Sequence, residues 1–324
     1  MGEACRVKLP GDCIDSTSRE EQQMSHQMQL FGFPADARAA IVHIDDVGMC
    51  HGANVAYLEL FRTGAVDSGS VMVPCPWFAE IAAEAQRDRS LDLGVHLTLT
   101  SEFEGYRWRA ISTISLASGL LDDDGFLPRN CSKLRARLVP EAAELEMRTQ
   151  IDRALGAGID ATHLDAHMGA ALIPELLAGT LKLGREYRLP VVLPRDLYSY
   201  IGALKMGAID PQPYVQAVTE LAKEGLPVVD HFRMTPGVPT ERSEAAYREL
   251  LTSLSPGITF ISLHCNAPGD IETIVPPRAN WRTDEYRIFA SGKTRVWMNE
   301  AGIGSLSYRR ICDIHRSLRA CAGR

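Results

Sequence analysis

Apolar and polar positions alternate along this chain in blocks. From residue 41 onward, short apolar runs of strand length are followed by longer stretches with helical spacing. Residues 41–45 read as a first strand and 53–63 as the helix after it, with Gly64 as its stop. A second strand is expected at 66–73, then a helix at 76–88 that Pro76 opens. A third strand is expected at 92–100. Residues 141–157 form a helix ended by Gly158, and 162–167 are the fourth strand and its exit. The pattern continues with a helix at 174–187, a fifth strand at 189–193 and helices within 197–224. A sixth strand at 226–232, a helix at 240–254 and a seventh strand at 257–263 follow, the last ending at His264. The tail carries a short strand at 294–298 and an amphipathic helix near 305–320.

About seven βα units in one run predict an α/β fold, a single irregular (β/α) barrel of parallel strands over residues 29–324. Residues 101–140 break the rhythm. An insertion that long at a strand's carboxyl end reads as a substrate-binding loop. Residues 1–28 are polar and without period, and are expected to be a mobile extension.

Composition narrows the picture. A net charge of −7, with no basic patch interleaved with aromatics, argues against a nucleic-acid partner. No apolar run approaches the ~20 residues of a membrane span. The first residues lack the apolar core of a secretion signal, so a cytoplasmic location is expected. The eight cysteines are scattered without a CxxC pair, which suits reduced, buried thiols rather than a zinc ribbon or redox motif. A homo-oligomer is left open.

The chemistry gathers where strands end. Ile41-Val42-His43-Ile44 runs into Asp45-Asp46 and then Gly48. In barrels and open α/β sheets, the carboxyl ends of the strands form the ligand-binding rim. Adjacent carboxylates there repel unless a cation or proton lies between them. His96 lies in the third strand, and His163, Asp165 and His167 cluster at the end of the fourth. Arg195, His231 and His264 stand at or near later strand ends. Imidazoles and a carboxylate converging from three strands suit a catalytic divalent metal and hydrolytic chemistry.

These motifs resemble the YdjC-like carbohydrate deacetylases, a group that includes chito-oligosaccharide and hopanoid-pathway deacetylases. The resemblance rests on Ile44-Asp45-Asp46-Val47-Gly48, Asn54, Gly64-Ala65-Val66 and Ser68 to Val73. It extends through Gly94-Val95-His96-Leu97-Thr98-Leu99-Thr100 and Thr162-His163-Leu164-Asp165-Ala166-His167. It covers roughly residues 38–310 and implies an irregular, polysaccharide-deacetylase-like barrel that removes N-acetyl groups from an amino sugar or short oligosaccharide. It also implies one divalent ion, Mg2+ or Zn2+, on Asp46, His96 and His167. Asp45 is then the general base, His264 the general acid or oxyanion stabiliser, and Arg195 a basic residue orienting the catalytic carboxylate. His163, Asp165 and Met168 fall on the substrate side, and Trp77 is a candidate ring for stacking a sugar. Two departures stand out: Met168-Gly169-Ala170-Ala171 replaces further histidines, and His43 replaces a small or amide residue. A metal hydrolase of another amide, ester or phosphoester, and a non-catalytic sugar-binding relative, are the alternatives.

Overall fold

The computed structural model describes residues 16–204, 206 and 209–322. A long central strand, β1 (Arg38–Val47), carries the sheet, and its residues 39–44 are fully buried, as a parallel strand covered on both faces requires. The other strands are β2 (Ser68–Val71), β3 (Leu93–Leu97), β4 (Leu164–Ala166), β5 (His231–Met234), β6 (Gly257–Leu263) and β7 (Ile303–Ser305). They pair in parallel in the order β4-β3-β2-β1-β6-β5, and β7 joins β1 along Arg38–Ala40. β6 runs beside β1 from Arg38↔Gly257 to Ile44↔Leu263.

Helices cover this sheet. In chain order they are α1 (Ser16–Leu30), α2 (His51–Arg62), α3 (Phe78–Arg87), α4 (Cys131–Arg135), α5 (Pro140–Gly156) and α6 (Pro174–Tyr187). After them come α7 (Leu197–Ala203), α8 (Gln212–Lys223), α9 (Thr240–Thr252), α10 (Ile271–Ile274), α11 (Ala279–Ala290), α12 (Lys293–Glu300) and α13 (Tyr308–Ala322). Local chemistry sets several boundaries. Prolines open α5 and α6, where a missing N–H costs nothing, and the Asp196 side chain caps α7 by accepting from Ser199 N at 3.2 Å. On α2 the buried Ala53, Ala56, Tyr57 and Leu60 recur at helical spacing, and each large side chain so buried contributes about 1.5–3 kcal/mol. No helix among the described residues is long and apolar enough to cross a membrane. Cys50, Cys75, Cys131, Cys265 and Cys312 are free and buried.

The barrel expectation holds, with corrections in its parts. The fifth strand, expected at 189–193, is reduced to one bridge between Leu164 and Val191. Pro190 and Pro194 lack the N–H groups a ladder needs. Residues 190–196 nevertheless span the gap: Leu164 N donates to Pro190 O, and Arg195 N and Asp196 N donate to Val229 O and Asp230 O. The sixth strand begins later than expected, at His231. The expected strand at 294–298 is the helix α12, because Thr294, Trp297 and Met298 bury one helical face while Val296 is 52% exposed. The described part of the expected mobile extension is helical. Its Met28 is buried, and Gln27 exchanges hydrogen bonds with the Val228 backbone at 2.7 and 2.8 Å. Residues 1–15 lie outside the described residues.

Candidate metal and catalytic site

The pairing of β1 with β2 slips between Ile44 and Val47, so Asp45 and Asp46 occupy a bulge. Successive strand side chains normally point to opposite faces. Here the bulge, and a left-handed φ of 63° at Asp46, let both carboxylates line one cavity of about 450 Å³. That conformation costs on the order of 1–3 kcal/mol for a residue other than glycine, and it persists because the surroundings hold it. The chain leaves β4 through two further left-handed residues, Met168 (φ 51°) and Gly169 (φ 72°), directly after His167.

Asp46 is the focus of the cluster. Its Oδ1 lies 3.2 Å from His167 Nδ1 and 3.5 Å from His96 Nε2, and its Oδ2 accepts from Arg282 Nη1 at 3.0 Å. All four side chains are buried. Burial alone pushes the Asp46 carboxyl up, but the hydrogen bonds of His167 and His96 and the Arg282 guanidinium outweigh it and hold the group well below the usual range. The outer nitrogens of the two imidazoles are also engaged. His96 Nδ1 is 2.9 Å from Asp165 Oδ1 and 3.1 Å from Ser70 Oγ, which itself donates to Asp165 Oδ2 at 2.8 Å. His167 Nε2 is 3.0 Å from Glu102 Oε2. Burial disfavours charge on both rings. Asp165 overrides it and raises His96 well above the ordinary value, and Glu102 with Asp46 pushes His167 up to about 9. The cluster therefore attracts positive charge. One carboxylate and two imidazoles converge on one side and are oriented by carboxylates behind them, a donor set that fits a divalent cation.

Asp45 stands beside this cluster. Its Oδ1 meets His43 Nδ1 at 2.8 Å, and its Oδ2 accepts from Ser262 Oγ at 2.7 Å and lies 3.9 Å from His264 Nε2. Burial works against its charge, yet the bond from His43 and the nearby imidazoles lower its pKa. His264 is lowered, chiefly by burial. Its Nδ1 lies 3.1 Å from Thr235 Oγ1, which donates to Glu285 Oε1 at 2.7 Å. With the Thr235 hydroxyl proton spent on Glu285, His264 Nδ1 carries the hydrogen and Nε2 presents a lone pair to the cavity. The cavity's far wall is apolar: Val192, Tyr200, Leu204, Phe232, Met234 and Phe260, with the Tyr200 hydroxyl spent on Val192 O.

Asp45, Asp46, His96, His167, His264, Asp165 and Met168 all line this cavity. Three expectations are corrected. Arg195 does not reach the Asp45–Asp46 pair. It bonds Asp230 through Nε at 3.0 Å, and Asp230 accepts from Ile258 N at the amino end of β6, the end opposite the site. Trp77 is 39% exposed just before α3, packed on His51, and it does not line the cavity; Trp281 does. His163 is fully buried beneath the site with its ring stacked on Tyr308, out of substrate's reach. Arg282, Trp281 and Glu285 were not marked in the sequence. They come from α11, which has no rim signal of its own. Glu102 lies five residues past the end of β3, inside the insertion read as a substrate loop, and its place near a strand exit was the available signal.

The chain is similar to known proteins over most of its length. A carbohydrate deacetylase of Thermus thermophilus is 31% identical over 274 residues, which is 85% of this chain and 94% of that protein. One of Brevibacillus brevis is 35% identical over 155 residues, or 48% of this chain and 58% of the relative. A crystal structure from Enterococcus faecalis, described as a candidate cellobiose-phosphate cleavage protein, shares the fold with a TM-score of 0.67 at 21% identity. It covers 84% of this chain and 98% of its own. The family model for YdjC-like proteins matches residues 39–300, and the chain belongs to that family.

Proposed function

We propose that this protein is a metal-dependent hydrolase that removes N-acetyl groups from an amino sugar or short oligosaccharide. The observation that carries the reading is the meeting of Asp46, His96 and His167 beside a second carboxylate, Asp45, in one cavity. The name carried by the Thermus thermophilus relative supports the substrate class. Asp46, His96 and His167 would hold the ion, with imidazoles leaning toward zinc or a late transition metal over magnesium. Such an ion, when bound, lowers the pKa of water and polarises a carbonyl.

The chain's own groups supply the proton handling. Asp45 accepts a proton from the attacking water. His264 Nε2, unprotonated at rest and 3.9 Å from Asp45 Oδ2, is placed to receive that proton and deliver it to the leaving nitrogen. Thr235 and Glu285 keep the His264 ring turned that way. The amide C–N bond breaks, acetate leaves with the water's oxygen, and the amine departs protonated. Trp281, its ring 5.5 Å from that of His264 and 4.6 Å from the Arg282 guanidinium, offers a face to the sugar. Asp45→Asn should keep metal and lose turnover, and His96→Ala should lose both. Full activity and metal content in His96→Ala would overturn the assignment.

A further inference from the structure

Behind Asp45 a file of polar side chains crosses the barrel interior. His43 Nδ1 lies 2.8 Å from Asp45 Oδ1, and His43 Nε2 lies 3.0 Å from His163 Nε2. His163 Nδ1 is 2.9 Å from Thr162 Oγ1, which is 2.6 Å from Asp92 Oδ1. Asp92 closes the file by accepting from Arg309 N at 2.6 Å. His43, His163, Thr162 and Asp92 are all essentially inaccessible to solvent. The file runs from the catalytic rim to the start of β3 at the other end of the sheet. Polar groups at this depth are costly unless each is matched to a partner.

The fold makes room for the file and clamps it. A Cβ at residue 94 would stand 2.5 Å from the His163 ring, so only glycine fits there. Tyr308 stacks on the same ring at a centroid distance of 4.1 Å, and Phe260 packs on His43 at 4.7 Å. Neither imidazole can turn away from its partners.

Counting donors fixes the outcome at Asp45. Burial, and then the neighbouring His43, push His163 well below the ordinary imidazole range, so it is neutral, with one donor and one acceptor. In one arrangement the Thr162 hydroxyl donates to Asp92, His163 Nδ1–H donates to Thr162, and His43 donates from both nitrogens. In the other a protonated Asp92 donates to Thr162, each donor turns round, and His43 keeps its hydrogen on Nδ1 alone. The two hold the same number of protons. As the base of the proposed reaction, Asp45 is ionised and only accepts, so both arrangements set an N–H on His43 Nδ1 facing Asp45 Oδ1.

We infer that His43, backed by His163, is a positioning residue that holds the Asp45 carboxylate in one orientation, with Oδ1 engaged and Oδ2 turned toward Ser262 and His264. This rests on the reading of Asp45 as the base. Three variants and one spectrum test it: His43→Ala, His43→Asn and His163→Phe, assayed for kcat, KM and bound metal, with 15N histidine NMR on the metal-free wild type. His43→Ala should lower kcat roughly 10–100-fold, as loss of an orienting partner does, and leave KM and metal content at wild-type values. His43→Asn puts a side-chain amide donor where Nδ1–H stood and should recover most of that loss. His163→Phe should lower kcat and move the His43 resonances. The spectrum should show His43 protonated at Nδ1. Wild-type kcat in His43→Ala, or a loss shared in full by His43→Asn, overturns the inference. An unprotonated Nδ1 overturns it without reference to activity. If the wild type itself releases no acetate, the hydrolase reading fails, and the spectrum still decides how His43 is set.

Discussion

Asp92 makes the stability of this protein depend on pH in a direction opposite to that of an ordinary paired carboxylate. Its side chain is buried at the start of β3, where it accepts from Thr162 Oγ1 and from Arg309 N, each at 2.6 Å. Burial dominates and lifts its pKa from 3.8 to about 6. Below pH 3.8 the carboxyl is protonated in folded and unfolded chains alike, and its ionisation costs the fold nothing. As pH rises toward 6 the unfolded chain releases its proton first, so the folded state is progressively destabilised; above about 6 the loss is complete. At about 1.4 kcal/mol per pH unit, the gap is worth about 3 kcal/mol. Asp92→Asn removes the ionisation and keeps a donor and an acceptor for the same partners. Urea unfolding of wild type and variant at pH 4 and pH 7 isolates the effect, because carboxylates elsewhere cancel in the difference. The variant should gain about 2.4 kcal/mol on the wild type between the two pH values, since the unfolded carboxyl is already partly ionised at pH 4, beginning near or below it there after loss of up to about 1 kcal/mol of hydrogen bonding. A difference that does not change with pH, or that moves the other way, would show that Arg309 and Thr162 stabilise an ionised Asp92 and refute the reasoning.

Two further outcomes follow from the site. Arg282→Met takes one partner from the buried Asp46 carboxylate while His96 and His167 remain on its other oxygen. It should cost about 2–3 kcal/mol in chelator-treated protein by urea unfolding, and a loss under about 1 kcal/mol would count against the pairing. Trp281→Ala should raise KM for a sugar substrate, whereas Trp77→Ala, outside the cavity lining, should leave both kcat and KM unchanged; the reverse pattern would return Trp77 to the binding surface.

How far the sequence could be read depends on where each residue sits. Asp45, Asp46, His96 and His167 were legible because they lie at or near the carboxyl ends of apolar strands, β1, β3 and β4, and the barrel brings such ends together. Arg282 and Trp281 arrive from a helix far along the chain, where a surface arginine and a site arginine look alike in sequence. Arg195 reads as a rim residue because it follows an apolar run, and its catalytic role came only from the family resemblance. That run, flanked by Pro190 and Pro194, forms no regular strand, and its arginine turns to Asp230 at the opposite end of the sheet. The 294–298 stretch misled through its Thr, Val and Trp, residues that favour strands, whereas its buried positions follow helical spacing. His43 stood in plain view before the Asp pair, but its role needed the pairing with His163, 120 residues away.

The decisive measurement is acetate release from N-acetylglucosamine and short chito-oligosaccharides by chelator-treated protein, before and after zinc or magnesium is returned. The proposed function predicts no release without metal and sustained release with it. Equal release in the chelated protein, or none from any of these sugars with stoichiometric metal bound, would contradict it.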